Sequence, residues 1–107
     1  MKLLAGQRFK LHDEDKFIRL KSGAAEVYAV THLKESFRQI FLMELPINGA
    51  AYPSLDEFKQ IDIQIYALQD SELEILSFKE IEPLEQVNLM RAWFQNLIKT
   101  AVVETFG

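Results

Sequence analysis

The chain has no cysteine, and only two histidines, three prolines and four glycines among its 107 residues. Without cysteine there is no disulfide framework, thiolate metal site or cysteine nucleophile, while the compartment stays open because reducing and oxidising compartments both hold such proteins. His12 and His32 stand well apart, each beside a turn signal, and belong to no H-x-H or H-E-x-x-H pair, so no metal is expected. The glycines form neither a phosphate-cradling loop nor a G-x-S-x-G elbow.

Positive charge is scarce as well. Twelve Lys and Arg against sixteen Asp and Glu leave a net charge of -4, and the basic residues are scattered, so nucleic acid is not an expected partner. No apolar run approaches the roughly 18 residues that cross a bilayer, and the opening MKLLAGQRFK meets charge too early for a signal peptide. No direct membrane span is expected in this chain. Carboxylates are plentiful, but Asp13, Glu14 and Asp15 read as a charged loop, and Glu72 and Glu74 as one solvated strand face. No catalytic residue and no cofactor is assigned, and the chain is expected not to be an enzyme.

What remains is mostly β pattern. At this length one domain is expected, burying about 65% of the surface its unfolded chain would expose. Alternation is clearest over 61–68, where Ile61, Ile63, Ile65 and Ala67 share a face. A longer strand over 37–45 places Phe37, Phe41, Met43 and Leu45 on one side and Arg38, Ile40, Leu42 and Glu44 on the other, and Pro46 closes it. Shorter strands are expected over 8–11, 17–21, 25–31 and 72–78, with turns at 12–15, Ser22-Gly23, Asn48-Gly49 and Asp70-Ser71. Residues 17–30, FIRLKSGAAEVYAV, read as a mostly buried hairpin about Ser22-Gly23. The whole predicts an antiparallel sandwich or barrel over 1–82.

The period changes after Pro83. Val87, Met90, Phe94, Leu97 and Ala101 recur at helical spacing, so a helix is expected to fill 83–107. Met90, Phe94 and Leu97 are assigned to the side that meets the sandwich. A second apolar stripe contains Trp93, Ile98, Val102 and Phe106, more than packing on a small sandwich needs, and these four are assigned to an interface that should make the chain self-associate.

The succession LLAGQRF, FIRLKSGAAEVYAV, FRQIFLMEL, Gly49 and IDIQIYAL resembles the double-stranded β-helix, or jelly roll, of cyclic-nucleotide-binding and cupin-like domains over about residues 3–78. Gly23 followed by Val27 and Tyr28 carries much of this likeness. With Trp93, Phe94 and Leu97 added, the chain resembles more narrowly the degenerate cyclic-nucleotide-binding-like domain ahead of the membrane domain in NHLM-type bacteriocin ABC exporters, which act on NHLP leader peptides. That resemblance implies a cytoplasmic accessory or regulatory domain, membrane-associated only through the full-length protein. Its implied partners are other exporter domains, a second copy of the chain or a leader peptide.

The implied nucleotide pocket would lie at Gly49, Ala50, Tyr52 and Tyr66, but its ligands are missing. Relatives that bind a cyclic nucleotide follow the turn glycine with Glu for the ribose and use an arginine for the phosphate. Here Ala50 follows Gly49, no arginine lies between Arg38 and Arg91, and Lys59 is outnumbered by Asp56, Glu57 and Asp62. The alternative function is a small-molecule sensor, cupin-like or cyclic-nucleotide-binding-like, holding a ligand inside the sandwich near Tyr52, Tyr66 and Phe41.

Overall fold

The computed structural model describes residues 1–11, 13, 15–33, 36–54 and 60–106, with side chains described at all of these except 32, 33, 36, 37 and 99–106. Among the described residues eight strands occur in the order β1 (Lys2–Leu3), β2 (Arg8–Leu11), β3 (Lys16–Ser22), β4 (Ala25–Leu33), β5 (Ser36–Leu45), β6 (Ala50–Ala51), β7 (Ile61–Ala67) and β8 (Ser71–Ser77). A 3-10 turn at Phe78–Glu80 and the helix α1 (Pro83–Phe106) complete the chain. The strands form two antiparallel sheets, ordered β1-β8-β3-β6 and β2-β7-β4-β5. This is the expected jelly-roll sandwich with a C-terminal helix.

Alternation decides what each strand buries. Ile63, Ile65 and Ala67 of β7 lie opposite Ala29, Val27 and Ala25 of β4 and join Leu20, Leu73 and Met43 in the core between the sheets. Ile65 is fully buried.

Residues 17–30 do not form a hairpin. β3 pairs with β8 and β6, whereas β4 pairs with β5 and β7, so Ser22-Gly23-Ala24 carries the chain from one sheet to the other. Gly23 makes the passage possible in two ways. Its φ is 96°, in the left-handed region, and a Cβ there would stand 2.6 Å from Ser71 Cα and 2.7 Å from the Asp70 carbonyl oxygen. The crossing is pinned on both sides: the Ser71 hydroxyl accepts from Ala24 N–H at 3.2 Å, and Leu68 N–H donates to the Ala24 carbonyl at 2.9 Å.

A second departure lies in β5. The register against β4 slips between Val27↔Met43 and Tyr28↔Phe41, leaving Leu42 as the extra residue of a bulge. Leu42 and Met43 both turn towards the core, and Phe41 moves to the outer face, against Tyr28 at 5.7 Å between ring centroids. The expectation that Phe41 shares a face with Met43 and Leu45 is therefore corrected.

The helix begins where the sequence places it. Pro83 needs no amide partner in the first turn, and Glu85 favours the positive end of the helix dipole. Among the described residues no helix is long and apolar enough to cross a membrane.

Candidate functional site

The turn before β6 is built by close packing. Gly49 N–H donates to the Pro46 carbonyl at 2.8 Å with Asn48 at φ 65°, and a Cβ on Gly49 would fall 2.8 Å from that carbonyl oxygen. Asn48 N–H donates to the Leu20 carbonyl at 2.7 Å, and Leu20 N–H donates to the Gly49 carbonyl at 3.1 Å. Gly49 is thus required by the turn and by β3 with no ligand involved. Ala50 and Ala51 follow in β6, both buried.

Tyr52 leaves β6 on the outer side of its sheet. In β3, Ile18 and Leu20 face the opposite sheet, so Phe17 and Arg19 take the other face. Tyr52 stacks on Phe17 at 5.1 Å and on Phe78 at 5.9 Å, and Trp93 of α1 closes over it at 6.1 Å. These four rings form an aromatic layer beneath the helix, and burial raises the Tyr52 hydroxyl from its ordinary value to about 12. That hydroxyl is buried and has no hydrogen-bond partner among the described residues. Beside the layer lies a largely apolar cavity of about 510 Å³, bounded by Tyr52, Phe78, Gln86, Met90 and Phe94.

Tyr66 does not join this pocket. It alternates with Ile65 and Ala67 onto the outer face of the other sheet, where the Arg8 guanidinium lies 5.3 Å from the centroids of both Tyr28 and Tyr66. Arg8 also donates to Gln64 Oε1 at 3.3 Å, and the Tyr28 hydroxyl donates to Glu26 at 2.9 Å. Burial first, and then that carboxylate, raise the Tyr28 hydroxyl. Tyr52 therefore lies outside one sheet, and Tyr66 and Phe41 outside the other. The expected convergence of the three inside the sandwich is corrected, because both sheets separate them.

The arginine nearest the Gly49-Ala50 turn is Arg19, opposite Ala50 across β3 and β6, and two carboxylates already hold it. Its Nε and Nη2 donate to Glu74 Oε1 at 3.0 and 2.7 Å, and its Nη1 donates to Glu85 of α1 at 3.2 Å. The hydrogen bond to Glu74 raises Arg19 and lowers Glu74 relative to their usual values. The pair so formed ties the first turn of α1 to the sheet. Asp62 faces Lys10 at 3.8 Å, while Asp56, Glu57 and Lys59 lie outside the described residues.

On α1 the sequence assignment of faces is partly reversed. Trp93 is 7% exposed and belongs to the core, with Leu89, Met90 and Leu97 packed beside it. Phe94, expected to face the sandwich, is 55% exposed. Trp93 is thus corrected from an interface residue to an anchor: an indole beside Tyr52 buries more apolar area than a phenyl ring there would. Ile98 is exposed, together with Leu84 and Val87, while the side chains of Val102 and Phe106 lie outside the described residues. Among the described residues no cluster of three or more His, Cys, Asp or Glu could hold a metal ion; His12 and the side chain of His32 lie outside them.

No protein-family model matches the chain, and no curated protein matches it. Among solved structures it is similar to a CRP-family transcriptional regulator from Thermus thermophilus, with a TM-score of 0.70 and 15% sequence identity. The match covers 98% of this chain and 53% of the regulator, so the chain spans about half the length of that relative. The likeness shows the fold, a jelly-roll β sandwich with a C-terminal helix.

Proposed function

We propose that the chain is a non-catalytic accessory domain of a peptide or bacteriocin ABC exporter, located in the cytoplasm, whose nucleotide pocket has lapsed and whose work is protein interaction through α1. The observation that carries this reading is the exposed apolar stripe Leu84, Val87, Phe94 and Ile98 on a helix that Trp93 and the Arg19–Glu85 bond hold in place. A helix fixed to its own domain on one side and apolar on the other is suited to a second partner. Its partner in this reading is another domain of the exporter or its leader peptide.

The lapsed pocket is supported by three features. Gly49 is consumed by its turn, Ala50 offers no group for a ribose hydroxyl, and the guanidinium of Arg19 is occupied by Glu74 and Glu85. A phosphate buried without a cation costs several kcal/mol, enough to abolish micromolar binding. Calorimetric titration with cyclic AMP and cyclic GMP is expected to give no binding. A dissociation constant tighter than about 10 μM, roughly -7 kcal/mol, would defeat the reading.

A small-molecule sensor is the second reading, and the cavity of about 510 Å³ beside Tyr52 favours it. Its size suits a compact, mostly apolar ligand. The readings separate on a screen of apolar aromatic fragments: specific shifts confined to Tyr52, Met90 and Trp93 resonances would favour the sensor.

A further inference from the structure

The exposed residues of α1 include a charge in an otherwise apolar row. Leu84, Val87, Arg91, Phe94 and Ile98 follow one another at steps of three and four, the spacing of a seam between paired helices. Arg91 is exposed at the centre of that row. One turn away on either side stand Val87, Asn88, Phe94 and Gln95, none of them acidic, and Glu85 is engaged by Arg19. Among the described residues Arg91 has no ion-pair partner.

This charge bears on which partner fits. A second copy would present the same row, and that row contains no carboxylate between Leu84 and Ile98. Where the Leu84–Ile98 rows of two copies face each other, Arg91 would then meet an apolar, amide or like-charged side chain. Desolvating an unpaired guanidinium is costly, and two facing each other repel. The complementary surface is a helix whose seam is apolar with an Asp or Glu at its middle. Phe94 also borders the cavity beside Tyr52, which gives a large apolar side chain of the same partner somewhere to insert.

We propose that the outer stripe of α1 docks an amphipathic helix bearing a carboxylate among its apolar seam residues, paired with Arg91. The inference rests on α1 being an interaction surface, and it names the partner's chemistry. The test uses two synthetic helices about three heptads long, with leucine at the seam positions and either Glu or Lys at the central one. Their binding to the 107-residue chain is followed by fluorescence anisotropy, alongside sedimentation of the chain alone.

The Glu helix should bind about tenfold tighter than the Lys helix, and Arg91→Glu should invert that order. Equal binding of both helices by both chains would overturn the proposal while leaving the stripe an interaction surface. A dimer of the chain that Val87→Glu or Phe94→Glu dissolves would assign the stripe to a second copy and overturn it too. If neither helix binds and the chain is monomeric throughout, both the proposal and the interaction reading fall.

Discussion

The indole of Trp93 closes over the ring of Tyr52 at 6.1 Å with a 57° tilt, and through this contact the helix shares a core with the strands. Tyr52 in turn packs with Phe17 and Phe78 in a triad whose ring centroids lie 5.1, 5.5 and 5.9 Å apart. Removing the indole leaves a void under α1 that the aromatic layer cannot fill without breaking its stacking. Trp93→Ala should therefore cost about 3 to 5 kcal/mol in denaturant unfolding, as large aromatic truncations in cores do. A polar substitution at Phe94, which is largely exposed, should cost far less.

Tyr52 has a hydroxyl that the layer does not satisfy. Tyr52→Phe deletes an unpaired buried donor and keeps the ring, so stability should rise by about 1 kcal/mol. The same residue gives an alkaline signature. Its folded pKa is raised to about 12, so its contribution to stability is fully present below the unfolded value near 10 and is lost as pH rises through about 12. Unfolding followed between these two pH values should show that loss in the native chain and a smaller one in Tyr52→Phe.

Much of this architecture was legible where the signal is local. The alternation over 61–68 and the period change at Pro83 correspond to β7 and α1, since side-chain spacing reports which face is buried. The unread features depend on distant partners. β1 is two residues long and is held by Met1, whose amino group donates to the Leu73 carbonyl at 2.7 Å, a contact from the far end of the chain. Ser22-Gly23 carries the composition of a hairpin turn, and only the pairing of β3 with β8 reveals a crossing. The bulge at Leu42 reversed the face of Phe41 without any glycine to announce it. For the site, Gly49, Ala50 and Tyr52 are neighbours in sequence and in space, but Tyr66 was joined to them by chemistry alone. On α1 both candidate stripes were apolar, so periodicity could not say which side the aromatic layer would take.

Gly23 offers a direct test of the crossing. Alanine there would combine a left-handed backbone with a Cβ against Ser71 Cα and the Asp70 carbonyl, and main-chain atoms yield little. Gly23→Ala should destabilise by at least about 2 kcal/mol in urea unfolding. Gly6→Ala is the control: its φ of 84° is also left-handed, yet a Cβ there meets nothing within 4 Å, so its loss should be about 1 kcal/mol.

The bond that ties the helix start to the sheet should respond to acid. Glu74 is held below the usual carboxylate range by its hydrogen bond from Arg19, with the charge of Arg19 adding to it. A depressed folded pKa means that this stabilisation is present above the unfolded value, near 4.3, and is lost as pH falls through the folded one. The gain is about 1 kcal/mol or less, since Glu74 is 37% exposed at its side chain and solvent screens the pair. Glu74→Gln should flatten the acid limb of the stability profile and leave neutral-pH packing of Trp93 unchanged. Glu85→Gln removes only the helix end of the bond, so it should raise amide exchange in the first two turns of α1 while strands β3 and β8 keep their protection. Equal loss of protection in the strands would mean that Glu85 supports the sheet as well as the helix.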